Sequence, residues 1–192
     1  MTKDHRENMV GPWAAAKPDA LEAYLKFCGQ ALSKQPFTRV CIDAFAGATV
    51  AKARGSDVPS EPSPFFDEAD DTAAQAEPIL GSPVWALSVP HGFHRHYFFD
   101  LDATRAETFR AATAGREGVA GQAGDCNPLI RALAPSLKAR SIRGVGFLDP
   151  DDAHLEWATL EALASTGTLE AVINFPVAMA INRLITRSGD VP

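Results

Sequence analysis

Four short polar residues stand just past short apolar runs in the second half of the chain, at nearly equal intervals of 24 to 25 residues. They are Asp100, Asp125, Asp149 and Asn174. Each one alone suits a turn or a helix cap, where Asp and Asn are common. Taken as a set, their regular spacing favours a ligand site. Carboxylate oxygens gathered at one place would accept hydrogen bonds from ribose hydroxyls and from an exocyclic amine.

Each interval has the length of one strand followed by one helix. The apolar runs predict strands at 39–43, 97–100, 119–124, 142–149 and 169–175. Helical patterns lie between or after them at 82–88, 103–114, 128–138, 152–165 and 176–186. This alternation predicts an α/β fold with a parallel, doubly wound sheet in the order 3-2-1-4-5, flanked by helices. Because the carboxyl ends of parallel strands share one edge, we expect Asp43 and the four later residues to line that edge.

The first half of the chain contains one clear helical pattern and one segment without periodicity. Residues 18–33 carry apolar side chains at helical spacing and predict a helix. Residues 54–78 are rich in proline, serine and carboxylates, and they predict a flexible loop. After this loop, Ser82 is expected to cap a helix that begins at Pro83. We expect residues 1–192 to form a single domain.

The strand predicted at 39–43 ends in an acid and leads into a turn of small residues, Ala44-Phe-Ala-Gly47. A glycine at this point lets the backbone approach a ligand closely. The segment is not the Gly-x-Gly-x-x-Gly fingerprint of nicotinamide dinucleotide sites, and no Gly-Lys-Ser/Thr phosphate loop is present in the chain.

This strand and turn resemble the first motif of class I methyltransferases, which cradles the amino acid part of S-adenosylmethionine. The residues to which the resemblance gives that role are Asp43, Phe45, Ala46 and Gly47. It also implies that Asp125 receives the adenine amino group. Asp125 or Asn127 is expected to cap the helix predicted at 128–138, with Asn127 favoured, and a cap at Asp125 can coexist with ligand binding. Asp100 directly ends its apolar run and is expected to accept bonds from both ribose hydroxyls. Asp102 is expected to cap the helix at 103–114.

The segment Gly146-Phe-Leu-Asp-Pro-Asp151 resembles the Asp-Pro-Pro-Tyr motif of amino-methyltransferases. In that motif an acid and a following carbonyl accept hydrogen bonds from the target amine and hold its lone pair toward the methyl group. The resemblance implies that Asp149 and Pro150 are catalytic.

Further segments extend the likeness to one family. Together with the motifs above, Leu21-Glu-Ala-Tyr-Leu-Lys26, Gly81-Ser-Pro-Val-Trp-Ala-Leu87 and Ile173-Asn-Phe-Pro176 resemble the three-Cys-motif partner proteins (TcmP) over roughly 18–187. The resemblance implies a methyltransferase that uses S-adenosylmethionine and acts with a separate protein carrying a three-cysteine motif. The sequence does not specify the methyl acceptor.

Two departures from these patterns support an alternative function. Thr49 stands where the first motif usually has a second glycine, and Asp151 and Asp152 stand where the amino-methyltransferase motif continues with proline and an aromatic residue. The final two strands of a methyltransferase sheet are also expected to be missing, which leaves an exposed edge for a partner or a second copy. The alternative is a catalytically inactive cofactor-binding or scaffold protein that works through its partner.

Composition also bears on possible partners, on the location of the protein and on metal sites. The net charge of −6 does not support a nucleic-acid partner. The chain has no apolar stretch long enough for a membrane span and no evident signal peptide, so we expect a cytoplasmic protein. Three scattered cysteines predict neither a disulfide framework nor a zinc site. His94 and His96 are expected to face solvent, with no metal between them.

Overall fold

The computed structural model describes residues 9–10, 16–47, 50–53, 78–150 and 155–174. Several sequence predictions lie outside these ranges. They are the loop predicted at 54–78 apart from Pro78, the departures at Thr49, Asp151 and Asp152, and the helix predicted at 176–186. Pro78 itself begins a short strand, so the boundary predicted for the loop is one residue too long.

The described elements are β1 (Met9–Val10), α1 (Ala16–Ser33), β2 (Thr38–Asp43), β3 (Val50–Ala53), β4 (Pro78–Leu80), α2 (Ser82–Ser88), β5 (Arg95–Asp100), α3 (Ala103–Ala112), β6 (Val119–Ala123), α4 (Cys126–Leu133), a 3₁₀ turn (Ala134–Leu137), β7 (Ile142–Leu148), α5 (Trp157–Ala164) and β8 (Leu169–Ile173). Five of these strands form one sheet in the order β6-β5-β2-β7-β8. All of its neighbouring strands run parallel, so the predicted order 3-2-1-4-5 is confirmed. A second sheet of β1, β3 and β4 was not predicted.

Helices cover both faces of the large sheet because its central strand is apolar on both sides. Successive side chains of a strand point to opposite faces. Cys41 of β2 therefore packs in a cluster with residues of α1, α2 and α3. Val40 and Ile42 pack in a second cluster with residues of α4 and α5. The pattern of a short, continuous apolar run predicts such a doubly buried strand.

The helices predicted within the described ranges are found, some of them with shifted ends. The helix predicted at 18–33 is α1, which begins two residues earlier at Ala16. The helix predicted at 152–165 begins only at Trp157, because Glu156 has extended backbone angles and occupies the N-cap position. The helix predicted at 128–138 begins at Cys126 and tightens into a 3₁₀ turn from Ala134.

The expected exposure of the histidines is wrong for His96. This side chain is buried between Phe93 and Phe98, and its Nε2 lies 3.2 Å from the carbonyl oxygen of Ala86. Burial lowers the pKa of His96, because the charged imidazolium is disfavoured away from water. His94 remains exposed, and its Nδ1 accepts a 2.9 Å hydrogen bond from the backbone of Arg39.

The three cysteines are free thiols, and all of them are buried. Within the described ranges, no three histidine, cysteine or acidic side chains gather in a way that could hold a metal ion. None of the helices described is long and apolar enough to cross a membrane.

Candidate functional site

Three of the predicted acids meet at the carboxyl edge of the large sheet. Asp43 ends the central strand β2 and pairs in register with Phe98 of β5 and Phe147 of β7. Asp100 and Asp149 therefore lie two residues further along the two neighbouring strands. Both are close enough for their charges to act on the Asp43 carboxyl group. The predicted gathering of these acids at one edge is present in the structure.

The carboxyl group of Asp43 is enclosed by protein, and each of its oxygens accepts a hydrogen bond. Only 2% of the residue is exposed. Its Oδ1 accepts a 3.2 Å bond from the amide of Phe45, and its Oδ2 accepts a 2.5 Å bond from the hydroxyl of Ser82. Burial raises the pKa of Asp43 to about 7, and the charges of Asp149 and Asp100 act in the same direction against the two hydrogen bonds. Asp43 thus holds the start of the turn in place.

Ser82 has a different role from the predicted helix cap. The N-cap residue of α2 is Gly81. Ser82 is the first residue of the helix, and Pro83 follows it. The Ser82 hydroxyl instead donates to Asp43 and lies 3.4 Å from the carbonyl oxygen of Ala46. It therefore ties α2 to the turn after β2. No local sequence signal links Ser82 to Asp43, because 39 residues separate them.

The turn after β2 is fixed between the ends of both neighbouring strands. The amide of Ala44 donates to Phe147 of β7 at 3.0 Å, and the amide of Ala46 donates to Phe99 of β5 at 2.9 Å. Gly47 follows with a φ of +61°, a left-handed conformation that favours glycine. Among the residues that the structure describes, a Cβ atom added there would contact only the Phe45 carbonyl oxygen, at 3.8 Å. With respect to the described part of the chain, the backbone is therefore open on this side, which fits the close approach of a ligand.

Asp100 is paired with an arginine that sequence reasoning did not consider. Arg105 Nε lies 2.9 Å from Asp100 Oδ2, and Arg105 Nη2 lies 2.9 Å from Oδ1. Oδ1 also accepts a 2.8 Å bond from the amide of Asp102. The five-residue spacing between Asp100 and Arg105 across a helix start is the sequence signal that could have suggested the pair.

Asp102 caps α3 as predicted. Its Oδ1 accepts bonds of 2.8 Å from the amide of Thr104 and 3.2 Å from that of Arg105. These bonds hold the pKa of Asp102 below its usual value. The two neighbouring acids therefore have different partners. Asp102 caps α3, while Asp100 pairs with the side chain of Arg105.

The N-cap residue of α4 is Asp125, one of the two residues expected to cap this helix, and not Asn127, the one that was favoured. Asp125 Oδ1 accepts bonds of 2.9 Å from the amide of Asn127 and 3.0 Å from its side chain. The side chain of Asn127 is buried, and its oxygen accepts bonds from the amide of Glu156 and the hydroxyl of Thr159. Asn127 therefore connects α4 with the start of α5. Asp125 itself is exposed at the carboxyl end of β6.

Asp149 and Asn174, the last two members of the regular series, contact each other. The side-chain amide of Asn174 donates to Asp149 Oδ1 at 2.5 Å, across the ends of β7 and β8. Asp149 is half-buried and Pro150 is buried. The structure thus places both predicted catalytic residues beside the central strand. Their contact with a methyl acceptor stays a prediction.

A cavity of about 350 Å³ lies away from these acids. It is an open cavity between α1 and the amino-terminal parts of β7 and β8, and its lining includes Phe27, Cys28, Arg143, Thr168 and Glu170. The carboxyl edge is the opposite end of the same strands. We therefore assign the candidate site from the side chains and the turn at the carboxyl edge, and not from this cavity.

The buried Asp43 predicts a pH-dependent stability. Its pKa rises from 3.8 to about 7 on folding, so the stability that it contributes is fully present below the lower value and is lost as the pH rises through the higher one. As the pH rises from 5 to 8, we expect the free energy of unfolding of Asp43→Asn, which cannot ionise at this position, to increase by about 2.5 kcal/mol relative to that of the wild type. Urea unfolding at several pH values measures this difference. Glu107→Gln, at an exposed acid of α3, is the control, and a constant difference for Asp43→Asn would contradict the prediction.

No family model and no curated protein sequence matches the chain. Among solved structures, a Legionella pneumophila protein of the DUF519 family is 15% identical, with 76% of this chain and 59% of that protein covered and a TM-score of 0.47. A "putative methylase" of Haemophilus influenzae is 16% identical, with 80% and 73% covered and a TM-score of 0.34. The chain thus spans 59% of the length of the Legionella protein. Because both TM-scores are below 0.5, the fold is assigned from the order and direction of the strands alone.

Proposed function

We propose that the carboxyl edge of the large sheet binds S-adenosylmethionine and that the chain is a methyltransferase. The observation that carries the proposal is the open turn at Gly47, held between the ends of β5 and β7. The order of the strands reverses at β2, and ligands of open α/β sheets bind at such a point. The turn and the buried Asp43 lie there. Membership in the three-Cys-motif partner family is part of the same hypothesis.

Each part of the ligand has a chemically suited neighbour at this edge. The backbone around Phe45, Ala46 and Gly47 would face the methionine part, because it is open to a close approach. Asp100, at the end of the adjacent strand, would accept bonds from the ribose hydroxyls. Asp125, at the end of the next strand, would accept a bond from the adenine amine. The order β2, β5, β6 matches the order of these groups along the ligand.

The reactive end would lie on the other side of Asp43, toward β7. S-adenosylmethionine supplies an electrophilic methyl group on its sulfonium. The chain would contribute the carboxylate of Asp149 and the carbonyl oxygen of Pro150, which can accept hydrogen bonds from an amine and orient it. Asn174 fixes one oxygen of Asp149. This contribution is positioning, which is effective when the reacting atoms are held in line.

Ligand binding can be tested directly by thermal shift and calorimetric titration. We expect S-adenosylmethionine and S-adenosylhomocysteine to raise the melting temperature, since a ligand at about 100 times its Kd stabilises the folded state by about 2.7 kcal/mol. ATP and NAD serve as controls, because they share the adenosine part while the chain lacks a phosphate loop. An intact fold that binds neither adenosyl compound would exclude the proposed function.

A catalytically inactive scaffold is the second candidate. It is favoured by the internal pairing of two of the proposed ligand groups, Asp100 with Arg105 and Asp149 with Asn174. In the described part of the chain, β8 is an edge strand, and Ile173 on it is 40% exposed. A three-cysteine-motif protein or a second copy of the chain could cover this edge. Light scattering of the chain alone and a methylation assay with the partner added distinguish the two candidates.

A further inference from the structure

Arg105 forms an ion pair with Asp100, the carboxylate that binds the ribose in the proposed function. We propose that Arg105 is a specificity-determining residue that competes with the ribose hydroxyls for Asp100 and so limits the affinity of the site for adenosyl ligands. This inference rests on the proposed function. It adds that the site opens by release of one arginine side chain.

The hydrogen-bond capacity of Asp100 is nearly filled by protein donors. An ionised carboxylate offers about four lone-pair sites. Oδ1 accepts from the amide of Asp102 and from Arg105 Nη2, and Oδ2 accepts from Arg105 Nε. These three bonds leave about one site, whereas a ribose diol donates two. A ligand that uses both hydroxyls must therefore displace at least one bond from the guanidinium.

The arginine is the more exposed partner of the pair. Its side chain is 37% exposed, while that of Asp100 is 7% exposed, so the guanidinium can turn toward water and the carboxylate stays in place. The helix itself is anchored by the buried Ala106 and Phe109, on positions next to Arg105 and one turn beyond it. Two parallel N–H···O bonds to a carboxylate are among the stronger polar contacts in proteins. The free energy lost with these two bonds would reduce the net gain from the hydrogen bonds that the ribose forms with Asp100.

Arg105→Ala tests the competition. We expect it to bind S-adenosylhomocysteine about threefold to tenfold more tightly than the wild type at pH 8, because the diol no longer displaces a guanidinium. Arg105→Gln, which keeps a neutral donor, should give a smaller gain in the same direction. The matched control is Arg110→Ala on the same helix, whose partner is the exposed Glu107 and not Asp100. Melting curves confirm that each variant is folded.

A pair of simpler probes separates competition from a general loosening of the site. The gain in Arg105→Ala should appear with adenosine and be absent with 2′,3′-dideoxyadenosine, which lacks both hydroxyls. An unchanged or weaker affinity for S-adenosylhomocysteine in Arg105→Ala, or an equal gain for both nucleosides, would overturn the inference and leave the proposed function standing. Binding of adenosyl compounds by neither the wild type nor Arg105→Ala would overturn both.

Discussion

Asp100→Ala is expected to bind S-adenosylmethionine roughly tenfold to a hundredfold more weakly than the wild type. Removing the acceptor for two ribose hydroxyls should reduce binding by about 1.5–3 kcal/mol, the range for hydrogen bonds to charged groups. The carboxylate is at the sheet edge and is held there by the amide of Asp102. In this variant the guanidinium of Arg105 has lost the Asp100 carboxylate. The site then contains a positive charge and no acceptor for the ribose hydroxyls. Calorimetric titration measures the change.

The neighbouring acid provides the matched control for this substitution. Asp102 is two residues away and its carboxylate accepts bonds from the first amides of α3. Asp102→Ala should therefore lower the melting temperature and leave the affinity for S-adenosylmethionine nearly unchanged. Equal affinities for the wild type and Asp100→Ala would remove Asp100 from the ligand site. Such a result would mean that the ribose binds at another part of the sheet edge.

Gly144→Ala is expected to destabilise the fold by about 2–4 kcal/mol. Gly144 lies in β7 directly opposite Val40 of the central strand. A Cβ atom at this position would lie 2.0 Å from the carbonyl oxygen of Val40 and 3.0 Å from a methyl group of Leu169. The first contact is with backbone that the sheet holds on both sides, so relief requires a shift of two paired strands. Urea unfolding followed by circular dichroism measures the loss.

Gly146→Ala is the control on the same strand and the same face. The nearest atoms that a Cβ atom there would meet are side-chain atoms of Leu163, at 3.7 and 3.9 Å, and the carbonyl oxygen of Glu170, at 4.0 Å. We expect this variant to be as stable as the wild type or up to about 1 kcal/mol more stable, because alanine restricts the unfolded chain. If the two variants lose equal stability, the close approach of Val40 to Gly144 does not explain the effect.

The strands and their order follow from patterns that are local in the sequence. A short apolar run such as that of β2 is explained by a strand buried on both faces, and helices of suitable length separate such runs. Parallel strands joined by right-handed crossovers allow few topologies, so the order 3-2-1-4-5 could be predicted. The same logic brought Asp43, Asp100 and Asp149 to one edge, since each ends or directly follows a strand. The cap at Asp102 was also predictable, because it depends on amides two and three residues away.

The partners of these acids were decided only by the tertiary structure. Ser82 reaches Asp43 across 39 residues, and Asn127 reaches Thr159 across 32. Such contacts depend on where one helix packs against another strand or helix, which no local pattern specifies. The burial of Asp43 has the same origin, because its surroundings come from β5, β7 and α2 together. The sequence alone thus determined which residues gather at the sheet edge. Packing determined which of their oxygens are already bonded, because hydrogen bonds form at distances that only the assembled elements set.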